Sequence, residues 1–338
     1  MERSISNPSA LSHVLRYNIS MYRPEIKVLD CTIRDGGLIN EHLFEDKFVR
    51  AVYQAVSAAG VDYIELGYRA SKKYFSPDKF GKAKFCEEDF IRKVIEGIES
   101  KTKISTMVDI GRVEPEDIPL KKDSVVSMMR VACYVKDIDK AIALVKHCAD
   151  KGYETTVNIM AISTALMPDL EEALSQLAEC PLKAVYCVDS FGALFSEQIH
   201  FLVKKYAEYL KPKGIEVGIH CHNNQQLGFA NTIEAIRKGA NFLDATIYGI
   251  GRTAGNCPLE LLLSFLKNPK FRLDPILDII EKEFIPLREK IEWGYMIPDM
   301  ITGVLNQHPR SAIALRSSKE KKSFSEFYRS LLNDAELV

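Results

Sequence analysis

The amino-acid sequence predicts a (β/α)8 barrel followed by a C-terminal helical extension. Three observations carry that expectation. Eight short apolar or β-branched runs alternate with longer amphipathic stretches, and strand and helix alternating eight times favours a closed parallel barrel over an open doubly wound sheet. Gly60, Gly152, Gly214 and Gly239 each stand between a helical stretch and the next strand-like run, where a left-handed helix end calls for glycine. Finally, no Pro/Gly/Ser-rich linker divides the 338 residues, and one barrel of roughly 250 residues plus an appendage accounts for that length.

The expected strands are 26–31, 63–66, 104–108, 125–133, 155–160, 184–188, 215–221 and 242–247. Each is a run too short for a helix and rich in Val, Ile, Tyr or Cys. Helices are expected over 45–59, 87–98, 138–149, 170–178, 196–210, 227–238 and 259–266. In the first of these, Val49, Val52, Val56 and Ala59 recur at the spacing of one buried helical face. The stretch 112–120 is interrupted by proline and reads as a connection without a helix. Beyond residue 268 the alternation stops. Helical stretches 275–283 and 286–293 and a charged tail, 317–338, are expected to pack on the barrel and to offer a homo-oligomer interface. The domains expected are therefore a flexible leader over 1–25, the barrel over 26–267, and the extension over 268–338.

Composition narrows the function. Hydrophobic residues make up 46% and charged residues 27%, which excludes disorder as a description of the whole. Lys and Arg number 45 against 46 Asp and Glu. The densest basic cluster, Lys319-Glu320-Lys321-Lys322, is short and mixed in sign, so nucleic acid is not an expected partner. No apolar run approaches the roughly 18 residues of a membrane-spanning helix, and the leader has no apolar core of a secretory signal. The eight cysteines are scattered without a Cys-x-x-Cys pair. That usage fits small core residues in a reducing, cytoplasmic compartment.

In such a barrel, chemistry sits where the strands end, and polar residues collect there. The first strand ends in Asp30-Cys31-Thr32-Ile33-Arg34-Asp35-Gly36-Gly37. Asp35 is a candidate metal ligand, and Arg34 a candidate to hold a carboxylate or a developing enolate oxygen. A strand-ending turn with a local ion pair is the plainer alternative. The seventh strand ends in His220-Cys221-His222-Asn223-Asn224. Histidines two apart on a strand share a face and can ligate one divalent ion, although two hydrogen-bonded core histidines fit the same spacing. Gly249-Ile250-Gly251-Arg252-Thr253-Ala254-Gly255-Asn256 follows the eighth strand. It reads first as a structural loop, with Asn256 as a further amide-oxygen donor. Glu65, Arg130 and Asp189-Ser190 complete the set, while Asp109 ends the third strand with no assigned role. Lys27, Lys103 and Lys183 lie at strand beginnings and Lys136 in a loop, so an imine mechanism is disfavoured against a metal-based one.

At these residues the sequence resembles the metal-dependent barrel lyases related to 3-hydroxy-3-methylglutaryl-CoA lyase and isopropylmalate synthase, most of all the 4-hydroxy-2-oxovalerate aldolase branch. Asp30-Cys-Thr-Ile-Arg-Asp-Gly36 resembles the D-x-T-x-R-D-G signature of that superfamily. His220-Cys-His-Asn-Asn224 with Leu227-Gly-Phe-Ala-Asn231, and Ala254-Gly-Asn-Cys-Pro-Leu-Glu260, resemble its other two. Arg130-Val-Ala132 and Val188-Asp-Ser-Phe-Gly-Ala193 are similar to shorter aldolase segments.

The resemblance implies a divalent metal, Mn2+ or Mg2+ rather than Zn2+, on Asp35, His220 and His222, with Asn256 as a further ligand. It implies enolate stabilisation by Arg34 and substrate contacts from Ser190, Glu65 and Arg130. The implied activity is an aldolase or lyase acting next to the carbonyl of a small 2-oxo acid, and these aldolases pair with an aldehyde-consuming dehydrogenase. Two positions depart from the branch. Leu38 stands where the aldolases carry a catalytic histidine, and Leu305 where they carry a tyrosine near the C-terminus. His42 is the nearest histidine and the expected general base; Tyr295 and His308 lie near the second position. An acyl-CoA-dependent Claisen synthase or lyase of the same superfamily, and a barrel that binds without catalysing, are the alternative expectations.

Overall fold

The computed structural model describes residues 23–318 and 322–336; the expected leader lies almost entirely outside them. Eight strands form one closed parallel barrel in chain order. They are β1 (Lys27–Asp30), β2 (Tyr63–Tyr68), β3 (Lys103–Asp109), β4 (Met128–Cys133), β5 (Glu154–Ile159), β6 (Ala184–Asp189), β7 (Glu216–Cys221) and β8 (Phe242–Ala245). Closure is made by β1 on β8, where Leu29 pairs with Asp244 and Asp30 with Ala245.

The barrel helices follow their strands. A single turn, α1 (Thr32–Gly36), and then α2 (Asp46–Ala58) follow β1; α3 (Glu88–Ile95) follows β2. No α-helix separates β3 from β4; the proline-interrupted connection holds only short 3-10 turns at Pro115–Asp117 and Lys121–Asp123. Then come α4 (Ile138–Asp150), α5 (Met167–Leu177), α6 (Ser196–Leu210), α7 (Gly228–Arg237) and α8 (Leu259–Leu266). The four glycines expected at helix ends have φ of +75°, +95°, +73° and +104°, a region that costs other L-residues about 1 kcal/mol or more.

Two layers of apolar packing hold the barrel. Between strands and helices lies the main core, to which α2 gives Val49, Val52 and Val56, and its C-cap Ala59. Inside the barrel, Leu29, Tyr63, Met128, Tyr186 and Phe242 plug the lower end. Gly218 makes room there, since a Cβ on it would stand 2.5 Å from the Tyr186 ring. All eight cysteines are free and buried. Among the described residues no helix is long and apolar enough to cross a membrane.

The extension begins with α9 (Asp274–Ile279), a π-helical turn (Ile280–Phe284) and α10 (Ile285–Arg288). It continues as α11 (Ile297–Val304), α12 (Arg310–Ser317) and α13 (Phe324–Glu336). The last three build a small core of their own from Ile301, Ala312, Phe327 and Leu331. They also reach the end of the barrel where the strands finish. Asn224 Nδ2, just beyond β7, donates to the Asp299 carbonyl at 3.1 Å, and Asn306 Nδ2 donates to the Ser163 carbonyl at 3.1 Å.

Asp299 is fully buried, and neither carboxylate oxygen has a hydrogen-bond partner. Burial pushes its carboxyl up to about 6 against the pull of Arg316 at 3.6 Å, with a smaller push in the same direction from Glu292. A carboxyl whose folded value exceeds its unfolded one binds protons more tightly when folded. Its favourable contribution is therefore complete below about pH 4 and lost as pH rises through about 6. The Tm of the wild type minus that of Asp299→Asn is expected to fall between pH 5 and pH 7.5. A gap constant with pH in thermal unfolding would show that Asp299 is ionised throughout.

Candidate active site

Why the first strand stops is the key to the site. The Asp30 carboxylate accepts the Thr32 backbone N–H at 3.2 Å and the Thr32 hydroxyl at 2.5 Å, and that hydroxyl accepts the Ile247 N–H at 2.8 Å. These bonds turn the chain from β1 straight into α1 and tie the turn to β8. Arg34 and Asp35 are thereby carried over the barrel axis, both buried. From β7, His220 and His222 project from one face with ring centroids 5.1 Å apart, as their spacing predicts.

The two elements meet. His220 Nε2 lies 3.2 Å from Asp35 Oδ2 and His222 Nε2 lies 4.0 Å from it, and one ligand atom from each of the three residues falls within 4.8 Å of the others. Two buried oxygens at this point have no protein partner, Asp35 Oδ1 and Asn256 Oδ1. Asn256 is held by an Nδ2 bond to the Ile250 carbonyl at 3.0 Å and by a backbone bridge to His222. Gly251 closes over it: a Cβ there would stand 2.2 Å from Asn256 Nδ2 and 3.4 Å from Asp35 Oδ1. Unpartnered buried acceptors beside two imidazoles are the donor set a divalent cation satisfies, so the residues fit such an ion.

A closed circuit of charge supports the donors. Asp35 Oδ2 accepts from Arg34 Nη1 at 3.0 Å, and Arg34 Nε donates to Glu65 Oε2 at 2.7 Å. Glu65 Oε2 also accepts from Arg130 Nη1 at 2.9 Å, and Arg130 Nη2 donates to Asp244 Oδ2 at 2.6 Å. Asp244 Oδ2 lies 3.0 Å from His220 Nδ1, which returns the circuit to Asp35. Binding the Nδ1 side to a carboxylate aims Nε2 at the site, the arrangement that orients metal-ligating histidines.

Titration follows from these neighbours. Burial opposes charge on Asp35, but Arg34 and the two histidines outweigh it and hold the carboxyl well below its ordinary value. Burial, only partly offset by Asp35, pushes His222 down to about 3 and keeps its ring neutral, the form able to bind a cation. Burial lowers His220 too, yet Asp244 and Asp35 more than reverse it.

Above the donors opens a cavity of about 300 Å³, small even among ligand pockets. Arg34, His220 and His222 line it, as do Tyr68, Asp109, Asn158, Ser190 and Arg252, with Lys136, His308 and Arg310 from loops and the extension. Ser190 Oγ accepts the Ala161 N–H at 2.8 Å, which leaves its own proton to donate.

Three expected site residues stand outside the cavity lining. Glu65 and Arg130 are fully buried and absent from the cavity lining; the circuit engages them, Glu65 with Arg34 and Arg130 with Asp244, the partner of His220. His42 does not line the cavity either. Its left-handed backbone, φ +60°, turns the ring back edge-on to Tyr68, with centroids 5.4 Å apart, and against Gly37. Burial above all, with Lys84 and Arg34, pushes it down to about 3. Leu38 does line the cavity, and so does His308, whereas Tyr295 and Leu305 do not.

Sequence reasoning missed Asp244, Arg252 and Tyr68 and gave Asp109 no role. A lone acid inside the apolar run Phe242-Leu-Asp-Ala245 was the available signal for Asp244.

Known proteins bear on this geometry. The HMGL-like family profile matches residues 25–281. A 4-hydroxy-2-oxovalerate aldolase of Rhodococcus erythropolis is 31% identical over 237 residues, 70% of this chain and 67% of that protein. An oxaloacetate decarboxylase of Mycobacterium tuberculosis is 29% identical over 243 residues, 71% of this chain and 69% of that one. The crystal structure of the N-terminal domain of a candidate aldolase from Bacteroides vulgatus superposes with a TM-score of 0.78 at 32% identity, covering 90% of this chain and all of that domain. A hydroxymethylglutaryl-CoA lyase from Pseudomonas aeruginosa, at 16% identity and a TM-score of 0.61 over 79% of this chain and 94% of its own, shares the fold. The chain belongs to the HMGL-like family, and it is a metal-dependent carbon–carbon lyase.

Proposed function

We propose that the chain is an aldolase that cleaves or forms the C–C bond next to the carbonyl of a 2-oxo acid, with a pyruvate-type enolate as the shared fragment. The observation that carries this reading is Arg34, which lines a small cavity with His220 and His222 and is hydrogen-bonded to Asp35, the third donor of that cluster. A divalent ion on those three residues, with Asn256 as a further donor, supplies Lewis-acid polarisation of a carbonyl. Oxygen and imidazole donors without a thiolate favour Mn2+ or Mg2+. Cys31 approaches only the Nδ1 side of His220, at 3.9 Å, and burial pushes its thiol well up.

The chain's own residues do the rest. Arg34 uses Nε and Nη1 on Glu65 and Asp35, so its remaining nitrogen serves the developing enolate oxygen, held in place before reaction. Ser190 donates its hydroxyl proton to the substrate carboxylate. His308 Nδ1 accepts the Arg310 N–H at 3.2 Å, which puts the neutral ring's proton on Nε2, where it is a donor to the aldehyde oxygen in the condensation direction. Burial, with Arg252 and Arg310, pushes it down to about 4, so it is neutral at pH 7.

Leu38 favours a second reading, decarboxylation of a 2-oxo dicarboxylate, because loss of carbon dioxide leaves the same enolate without a base. The aldolase reading is tested by proton–deuterium exchange at the pyruvate methyl, followed by NMR with and without Mn2+. Metal-dependent exchange is expected, and Arg34→Met should slow it by about 100-fold or more, the scale of losing one preorganised donor. Metal bound without exchange would exclude pyruvate as the enolate donor. Thiol release from acetyl-CoA with 2-oxo acids would then point to Claisen chemistry. Oxaloacetate turnover without aldehyde condensation would select decarboxylation.

A further inference from the structure

Five cationic side chains line the cavity: Arg34, Arg112, Lys136, Arg252 and Arg310. The two carboxylates that line it beside them are already engaged. Asp109 Oδ2 accepts from Arg112 at 3.1 Å, and Asp137 Oδ1 accepts from Lys140 at 2.8 Å. Arg34 is held by Asp35 and Glu65. Lys136, Arg252 and Arg310 remain, and among the described residues no carboxylate lies within ion-pair distance of any of them. Arg252 Nη2 donates to the Ser190 carbonyl at 3.1 Å, and its Nε is buried with no partner at all. Lys136 stands 5.9 Å from the Tyr134 ring, and Arg310 gives His308 only its backbone N–H.

These three cations come from separate parts of the chain: the turn between β4 and α4, the loop after β8, and the start of α12 in the extension. Convergence of like charge on one small cavity is self-repulsive and raises the local concentration of anions. The carboxylate of a 2-oxo acid does not use this charge up, because the floor, with Arg34 and Ser190, already answers it.

Resting on the 2-oxo acid reading above, the geometry points to a substrate whose far end carries a second anionic group, a carboxylate or a phosphate, received by Lys136, Arg252 and Arg310. The acceptor half of the aldol reaction is then an anionic aldehyde rather than a plain alkyl one. Lys136 and Arg310 are exposed, so they draw the anion in, and Arg252 holds it deeper.

The test uses ligand pairs matched in length, titrated calorimetrically into the Mn2+-loaded chain at low salt. The probes are 2-oxoglutarate and 2-oxopentanoate, with 2-oxo-4-phosphonobutanoate as the phosphate-like arm. The dianions are expected to bind about tenfold or more tightly than 2-oxopentanoate, and the advantage should shrink as salt screens it. In Lys136→Ala/Arg252→Ala/Arg310→Ala the ratio should fall towards one, and in Lys136→Ala/Arg310→Ala it should fall part of the way; thermal unfolding checks the fold of both. The better dianion identifies the group. Equal affinities, or a preference that survives in the triple variant, overturn the inference while leaving the 2-oxo acid reading standing. If none of the three ligands binds, that reading fails and takes this one with it.

Discussion

Asp35→Asn is expected to weaken Mn2+ binding by at least about 100-fold, more than the 10- to 100-fold typical of losing a group that merely orients a ligand. Asp35 is the only formal negative charge in the set, and its neighbours hold it ionised. His220→Ala should match it, and metal-dependent exchange at the pyruvate methyl should vanish in both. Asp244→Asn keeps all three ligands and loosens the orientation of His220, so its loss should fall within that 10- to 100-fold range. Calorimetry or Mn2+ resonance measures all three. A fourth variant makes the result decisive, because Cys31, His220 and Asp244 also cluster closely enough to hold an ion, on the opposite side of the same imidazole. Cys31→Ser should leave Mn2+ affinity unchanged. Loss in Cys31→Ser with retention in Asp35→Asn would move the ion to that second cluster and remove Arg34 from its side.

How much of this was legible in sequence differs from residue to residue. That Asp35, His220 and His222 stand at strand ends, the two histidines on one face, was readable because the signal is local: a turn closing a strand, and a spacing of two. The barrel was readable because its repeats are periodic, even where one helix is missing after β3. Asp244 needed closure of β8 onto β1 and β7, which brings it to His220 and Arg130 from far along the chain. His42 is the opposite case. It lies near Asp35 in sequence, yet two consecutive left-handed residues, Glu41 and His42, set which way its ring turns, and apolar spacing carries no trace of that. The extension was expected to pack on the barrel, but nothing local announced that the stretch between α11 and α12 carries His308 over Phe191, with ring centroids 5.6 Å apart.

Arg130 tests whether the charge circuit beneath the site also holds the barrel together. The side chain is wholly buried, bridges Glu65 and Asp244, and stacks 4.4 Å from the centre of the Tyr186 ring. Arg130→Met fills much of the same space without a charge, leaving Glu65 to Arg34 alone and Asp244 to His220 alone. Removing one partner from a buried ion pair typically costs about 3–5 kcal/mol, because the remaining charge is stranded in a poor solvent. A loss of that size in denaturant unfolding is expected, read from the shift in midpoint at constant slope. Glu65→Gln/Arg130→Met/Asp244→Asn removes the stranded charges as well and should recover part of the stability. It should not recover Mn2+ affinity, since Asp244 no longer orients His220 and Glu65 no longer anchors Arg34. Stability and binding would then separate in one set of variants, as they must if the circuit exists to aim the donors. If Arg130→Met is as stable as the wild type, the two carboxylates are protonated or hydrated in its absence, and the barrel does not depend on the circuit.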